Sequence, residues 1–351
     1  MNIKTIALTG LVSSTLLLTG CGGGGGGSAA TKTTVIDGFN MTQGTADTKL
    51  GATYIQEVLT EGGFSIGPST MYSRVNVSGV EAAHSAGWTG LGKTITVLDS
   101  DFTVNGATDC DGSHGRCVSD IARTIAPGAT RNEYGLGELD NSSKNLTTMA
   151  SDVITSSTYY APSSLALSPT LDNYVTSVVT DLEASDALVT MAAQHSNWTS
   201  SEVTKGGVAG RGGFTACPDV GIMTVANCNS FAVKGLDSTN VIYVGEVDSS
   251  DNIPVWSNQA GEAHKNQFLV TSSDFITANS DGGAYGNSFA APRVAGAGAL
   301  VRHKFANLTG SQTATVLLHT ADDLGVVGVD SVYGHGKLNV GAALAPVGNL
   351  H

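Results

Sequence analysis

From about Val80 onward, the chain alternates between segments with the composition of buried strands and segments with the pattern of helices. The stretch "GKTITVLDS" is rich in β-branched residues and predicts a strand that ends at Asp99, while "SHGRCVSDIARTIAPGA" predicts a helix that stops at Pro127. Further strands are predicted in "ASDVITSST", "SDALVTMAA" and "TNVIYVGEVD", and further helices in "VEAAHSAGW", "NYVTSVVTDLEA", "NSFAAPRVAGAGALVRHKF" and "TATVLLHTADDL". This alternation predicts an α/β fold, a doubly wound and mostly parallel sheet with helices on both faces.

The helix predicted to begin at Asn287 consists largely of small residues, which let strands or loops pack closely against it. Ser288 lies in its first turn, where an α-helix leaves backbone N–H groups without intrahelical partners. A serine in this place is either a helix cap or a nucleophile with an anion site beside it. The stretch alone leaves both interpretations open.

Several polar residues are predicted to share one edge of the sheet. Asp99 ends a strand, His195 follows the end of another, and His114 and Ser288 open helices. In parallel sheets of this type, ligands bind beyond the carboxyl ends of the strands. Nucleophilic serine chemistry needs a hydroxyl, an imidazole and a carboxylate, and Ser288, His114 and Asp99 are candidates for these roles. The order Asp–His–Ser, and Ala290 where a Gly-x-Ser-x-Gly motif needs glycine, disfavour a lipase or esterase of the α/β-hydrolase type.

Four blocks in order resemble the subtilisin-like serine proteases, or subtilases: "TGLGKTITVLDSDF", "DGSHGRCVSDIARTIAPGA", "GNSFAAPRVAGAGALV" and "YGHGKLNVGAAL", which together span roughly residues 75 to 345. The resemblance implies a subtilisin-like fold and a serine endopeptidase that hydrolyses peptide bonds through an acyl-enzyme. It implies Ser288 as the nucleophile, His114 as the general base and acid, and Asp99 as the carboxylate that orients the imidazole. Protein or peptide substrates are then expected to bind in extended form by strand addition.

The chain departs from the family pattern at three places. Asp101 stands where the family has glycine, and Asn287 replaces the threonine before the serine. In "VTMAAQHSNW", His195 occupies the position of the asparagine that donates a hydrogen bond to the oxyanion, and Asn197 two residues later is the alternative donor. A catalytically weak or inactive lipoprotein that keeps the fold and binds peptides or proteins therefore remains the alternative function.

The N-terminus has the features of an export signal. Lys4 precedes the apolar stretch Ile6–Leu18, and "LTGC" resembles the bacterial lipobox, with an ordinary secretory signal as the alternative. We expect lipid on Cys21 and a flexible tether in the glycines that follow it. The predicted organisation is a signal peptide over 1–20, a lipidated cysteine with a tether and short N-terminal region over 21–67, and a peptidase domain over 68–351. By analogy with lipoprotein sorting, the expected location is the outer membrane.

The remaining cysteines and the net charge limit the other possibilities. Four cysteines in an exported chain favour disulfides, and the short spacings favour Cys110–Cys117 and Cys217–Cys228, although other pairings are open. A zinc site is the alternative, but no CxxC spacing supports it, so no metal ligand is predicted. The resemblance leaves calcium possible and unassigned. A formal net charge of -13 argues against a nucleic-acid partner.

Overall fold

The computed structural model describes residues 34–36, 39–61, 67–99, 102, 113–135, 150–157, 169–193, 238–254, 257–273 and 286–346. Lys32–His351 form one compact unit, and residues 1–31 lie outside the described residues. The predicted signal peptide, Cys21 and the glycines of the predicted tether fall there, so they stay predictions.

Six parallel strands form the central sheet. They are β3 (Thr94–Asp99), β4 (Thr130–Gly135), β5 (Val153–Ser156), β6 (Leu188–Ala192), β7 (Val241–Val247) and β8 (Phe268–Ser272), in the spatial order β4-β3-β5-β6-β7-β8. The strands β1 (Thr34–Ile36) and β2 (Phe39–Met41) form a separate antiparallel pair. The chain runs from β3 outward to β4 and then returns past β3 to form β5 on its other side, so the topological switch point lies between β3 and β5.

The described helices are α1 (Gly51–Glu61), α2 (Pro68–Val75), α3 (Val80–Ser85), α4 (His114–Ile125), α5 (Pro169–Ala184), α6 (Gly261–His264), α7 (Asn287–Lys304), α8 (Gly310–His319) and α9 (Val340–Leu344). Local sequence fixes several of their ends. The Ser113 hydroxyl caps α4 by accepting from the Arg116 N–H, and Thr309 and Gln312 form a capping box at α8. Pro127 follows α4, where it cannot continue the helix.

Both faces of the sheet are covered by apolar packing. Alternate strand residues such as Val97 face a cluster built with α4, α7 and α8, whereas their neighbours such as Leu98 face a cluster built with α5. Because side chains alternate across a strand, helices on both faces explain why the strands other than β4 are buried at nearly every position. The predicted doubly wound α/β architecture is confirmed.

The predicted elements differ from the observed ones mainly in short segments. The strands predicted around β3, β5, β6 and β7 are present, as are the helices that became α3, α4, α5 and α7. Strands β1, β2, β4 and β8 and helices α2, α6 and α9 were not predicted, and α8 both begins and ends before the predicted helix. No helix of the described part of the chain is long and apolar enough to cross a membrane.

Part of the segment that precedes residue 68 packs on the main core. Met41, Ile55 and Leu59 are buried in the same cluster as α4 and α7. The Gly44 N–H donates to the Lys304 carbonyl at 2.6 Å, which joins this segment to the end of α7. The described N-terminal residues therefore help to fix the position of that helix.

Candidate active site

Asp99 and His114 meet at the carboxyl edge of the sheet. Asp99 is the last residue of β3 and is fully buried, and His114 is the first residue of α4. His114 Nδ1 lies 2.8 Å from Asp99 Oδ1. With the carboxylate as acceptor, the proton sits on Nδ1, so Nε2 is the basic nitrogen of the neutral ring. The His114 side chain is 38% exposed, which leaves the ring open to a reacting group.

Ser288 is the accessible residue at the start of a buried helix. Sixteen of the eighteen residues of α7 are buried, and Ser288 and Lys304 are the two exceptions. Gly286 precedes the helix with φ 152°, a backbone conformation that favours glycine, and its carbonyl accepts from the Phe289 N–H at 2.8 Å. The turn thus leaves Ser288 partly exposed while the residues on either side of it are buried.

Ser157 binds Ser288 through two hydrogen bonds. The Ser157 hydroxyl donates to the Ser288 carbonyl at 2.7 Å, and the Ser288 hydroxyl donates to the Ser157 carbonyl at 3.3 Å. Ser157 follows directly after β5, so this pair joins the start of α7 to the carboxyl end of a central strand. Sequence reasoning did not single out Ser157, because a serine within "ITSST" carries no spacing that marks it.

The imidazole also contacts the start of α7. The His114 ring lies 5.8 Å from the Phe289 ring, centroid to centroid, and Phe289 directly follows Ser288. Asp99, His114 and the beginning of α7 therefore meet beside the ends of β3 and β5, which is the topological switch point of the sheet. An α/β sheet binds its ligands at such a point.

A buried polar group supports the residue before Ser288. Asn287 is fully buried, and its Oδ1 accepts from the Ser257 hydroxyl at 2.9 Å. The adjacent Asn258 donates through Nδ2 to the Ala193 carbonyl at 2.8 Å. The segment that carries Ser257 and Asn258 thus contacts both the helix start and the residue after β6. This explains how asparagine can stand where the family has threonine, since its amide oxygen has a buried partner.

The residues predicted to donate hydrogen bonds to the oxyanion follow shortly after Ala193 in the chain. His195 and the alternative Asn197 lie outside the described residues, as does Asp101. Their roles stay predictions. Ala193 is the last described residue before residue 238, and its N–H donates to the Val244 carbonyl at 2.9 Å.

Cys117 is buried on α4 in a small apolar cluster with Ile121 and Phe289. The other three cysteines of the predicted disulfides, Cys110, Cys217 and Cys228, lie outside the described residues, so both pairings stay predictions. Among the residues that the structure describes, there is no group of three His, Cys, Asp or Glu that could hold a metal ion.

The fold defines the class of protein. A lanthipeptide protease matches the chain with a TM-score of 0.50 at 18% identity, covering 83% of this chain and 95% of that protease. The prenylagaramide maturation protease PagA matches with a TM-score of 0.51 at 16% identity, covering 77% of this chain and 98% of PagA. The chain is thus a doubly wound α/β protein with the subtilisin-like fold.

Sequence comparison gives partial matches to subtilases. A model of the subtilase family (peptidase S8) matches residues 223–336. The autotransporter lipoprotein NalP of Neisseria meningitidis is 46% identical over 59 residues, which are 17% of this chain and 6% of NalP. Subtilisin DY of Bacillus licheniformis is 35% identical over 132 residues, which are 35% of this chain and 47% of that protein. The matched stretches span less than half the length of these relatives. Over residues 223–336 the chain is therefore similar to the subtilase family.

Proposed function

We propose that this chain is a serine endopeptidase that hydrolyses peptide bonds of proteins with Asp99, His114 and Ser288. The observation that carries the proposal is the 2.8 Å bond between His114 Nδ1 and the fully buried Asp99, beside an accessible Ser288 at the start of α7. The fold and the subtilase sequence match support the same activity.

The chemistry follows from these positions. His114 Nε2 takes the proton of the Ser288 hydroxyl as the oxygen attacks the carbonyl carbon of the peptide, which gives a tetrahedral oxyanion. Asp99 holds the imidazole in one tautomer and stabilises its charged form. The imidazolium then protonates the leaving amine, and an acyl-enzyme remains on Ser288. Water, deprotonated by His114, releases the acid and restores the hydroxyl.

The developing oxyanion needs donors placed in advance. The Ser288 N–H, in the first turn of α7, is one donor, because helix N-terminal N–H groups point away from the helix and attract negative charge. The second donor in this proposal is His195, with Asn197 as the alternative. Because His195 stands where the family has asparagine, the second candidate function is a peptide-binding protein with little or no turnover.

The test uses a fluorophosphonate probe, which labels an activated serine, together with digestion of a peptide library. We expect the wild-type chain to be labelled at Ser288 and to cleave peptides. Ser288→Ala and His114→Ala should each abolish both signals while the far-UV circular dichroism stays unchanged. The exposed Ser249→Ala variant is the matched control and should behave as wild type.

The outcomes separate the two candidates. Peptide cleavage that survives Ser288→Ala would refute the peptidase proposal. A folded wild-type chain that binds peptides but is neither labelled nor active would instead favour the binding function. If the chain is active, variants with two or three triad residues replaced should lose little more peptidase activity than the single variants, because the three groups act as a unit.

Anchoring and export form a further part of the proposal. The lipobox at Cys21 and the similarity to a lipoprotein autotransporter and an extracellular serine protease support an exported protein held to the outer membrane by lipid. Cys21→Ser should release the protein from the membrane fraction or leave it unprocessed, without changing the activity of the purified chain. Wild-type membrane partitioning of this variant would show that lipid on Cys21 is not the anchor.

A further inference from the structure

Ser257 and Asn258 are adjacent polar residues that lie buried beside the candidate active site. Ser257 is fully buried and Asn258 is 2% exposed, and both lie between β7 and α6 in the chain. A buried hydroxyl or amide loses its hydrogen bonds to water, and this loss is offset where the group gains hydrogen bonds within the protein. The partners of these two side chains therefore indicate what the side chains do.

The Ser257 hydroxyl holds the residue before the proposed nucleophile. It donates to Asn287 Oδ1 at 2.9 Å, and Asn287 is fully buried at the start of α7. Ser288 is the next residue, so its Cα lies one peptide unit, about 3.8 Å, from the Cα of Asn287. Loss of this hydrogen bond would loosen the turn that sets the direction of the Ser288 hydroxyl.

The Asn258 amide holds the end of the strand that leads to the predicted oxyanion donors. Strand β6 ends at Ala192, and the carbonyl of the next residue, Ala193, accepts from Asn258 Nδ2 at 2.8 Å. The Ala193 N–H donates to the Val244 carbonyl at 2.9 Å, so both backbone polar groups of Ala193 are bonded. The side-chain amide thus supplies a donor where the strand has ended. His195 is only two residues further along the chain.

The segment that carries Ser257 and Asn258 is itself anchored on both sides. The Ser257 N–H donates to the Pro254 carbonyl at 3.0 Å. Ala260 is fully buried, and its N–H donates to the Val332 carbonyl at 3.1 Å. Because its own backbone is fixed, the segment can hold its partners in place.

A single peptide unit joins the two contacts. Asn287 and Ala193 lie far apart in the chain, but their partners Ser257 and Asn258 are consecutive residues. The planar peptide between them therefore helps to set the distance from the Ser288 turn to the end of β6. Acyl transfer depends on this distance, because the oxyanion forms on the carbonyl that the serine attacks and its donors must already lie within hydrogen-bond range.

We propose that Ser257 and Asn258 are positioning residues of the active site, which fix the turn that carries Ser288 relative to the strand end that leads to the oxyanion donor. They act through Asn287 and Ala193. The catalytic part of this inference rests on the proposed peptidase function, whereas the positioning itself can be measured in an inactive chain.

The first measurement is the steady-state kinetics of peptide hydrolysis by the full chain. Ser257→Thr and Ser257→Val have side chains of nearly the same shape, and only threonine keeps the hydroxyl. We expect Ser257→Val to lower kcat about tenfold or more with little change in KM, and Ser257→Thr to keep most of the wild-type kcat. Ser257→Ala replaces Ser257→Val if the added methyl groups prevent folding. Asn258→Ala should lower kcat in the same way as Ser257→Val. An active wild-type chain whose kcat survives loss of either side chain would overturn the proposal.

Asn240→Ala is the matched control. Asn240 is 4% exposed, and its Nδ2 donates to the carbonyls of Leu182, Ser185 and Ala187. It directly precedes β7, so it lies at the edge of the sheet opposite the candidate site. This variant also removes a buried amide with its hydrogen bonds, so it should lose stability but keep the wild-type kcat. If kcat fell as far in Asn240→Ala as in Asn258→Ala, a general loss of stability would explain both results and the proposal would be overturned.

Amide hydrogen exchange gives a second readout, which does not need catalysis. Ser257→Val should speed exchange at residues 289–291 by about fivefold or more, and Asn258→Ala should do the same at Ala193, as expected for the loss of one hydrogen bond. Asn240→Ala should leave exchange at both places unchanged. Wild-type exchange rates in the first two variants would overturn the positioning proposal whether or not the chain is active. An inactive wild-type chain that shows the expected exchange would support the positioning and overturn only the peptidase proposal.

Discussion

Gly296 sets the distance between the two helices that carry His114 and Ser288. A Cβ at this position would lie 2.4 Å from Ile125 Cβ, 2.7 Å from Ile125 Cγ2 and 3.1 Å from the Ala122 carbonyl oxygen. Ordinary contacts begin near 3.4 Å, so Gly296→Ala must push α7 and α4 apart by about 1 Å. The atoms in the way belong to the stem of a branched side chain and to the backbone, so they have little freedom to move.

The cost of this change is best measured against Gly298→Ala. A Cβ at Gly298 would lie 2.3 Å from Leu188 Cδ2, but the next atom is 3.5 Å away. A leucine methyl can move by a change of rotamer, so this variant should be accommodated. Both variants gain about 1 kcal/mol of helix propensity, and the difference between them isolates the clash. Overpacking typically costs about 1–3 kcal/mol, so Gly296→Ala should be less stable than Gly298→Ala by about that amount.

The assay combines urea unfolding with peptide hydrolysis. Because a shift of about 1 Å in a catalytic group can lower the rate about 10²-fold, we expect Gly296→Ala to lose kcat at 25 °C, where it is still folded. Gly298→Ala should keep most of the wild-type kcat. Equal stability and equal kcat for the two variants would refute the reasoning that close helix packing at Gly296 positions the site.

Three further predictions concern single side chains. Ser157→Ala should lower kcat/KM about tenfold with the fold retained, because it removes the hydroxyl that holds the Ser288 carbonyl. His195→Ala should lower kcat about 10²–10³-fold with little change in KM, and Asn197→Ala should be nearly neutral; the reverse result would assign the oxyanion donor to Asn197. Burial lowers the pKa of His84 to about 4, although the hydrogen bond with the Ile125 carbonyl opposes part of this shift. Between pH 6.5 and 4, His84 therefore binds a proton in the unfolded chain but not in the folded one. The free energy of unfolding should fall by up to about 3 kcal/mol as the pH falls through this range. His84→Gln should flatten this dependence when unfolding is measured at a series of acidic pH values.

The sequence predicts the elements that are most strongly apolar or most clearly bounded. The β-branched run before Asp99 and the small-residue run after Asn287 became β3 and α7 with nearly the predicted ends. Strand β4 was not predicted, because "TRNEYG" is polar and has no apolar alternation. The charged side chains of β4 are half-buried, and residues of α4 pair with them. Arg131 forms an ion pair with Asp120, and Glu133 accepts a hydrogen bond from the Ser119 hydroxyl. Hydropathy patterns do not predict a strand whose contacts are ion pairs and hydrogen bonds rather than apolar packing.

The candidate site was predictable only where chemistry restricts residue type. Asp99 and His114 could be chosen because serine chemistry needs a carboxylate and an imidazole in a given order, and the structure places them in contact. The supporting contacts could not be predicted, since the chain has many serines and these contacts join distant positions. Ser157 and Ser288 are 131 residues apart, and Ser257 and Asn287 are 30 residues apart.

The burial of α7 affects when Ser288, the proposed nucleophile, reaches its position during folding. The helix has almost no solvent face, and its two buried arginines depend on other segments: Arg293 donates to the Val75 carbonyl, and Arg302 donates to the carbonyls of Asp152 and Asp186. An isolated helix of this composition would expose that surface, so it gains stability only after the sheet has formed. We therefore expect the start of α7, with the Ser288 hydroxyl, to reach its final position only after the sheet has formed. A chain that crosses a membrane unfolded would then carry the proposed nucleophile unassembled until the sheet and its neighbours have packed around α7.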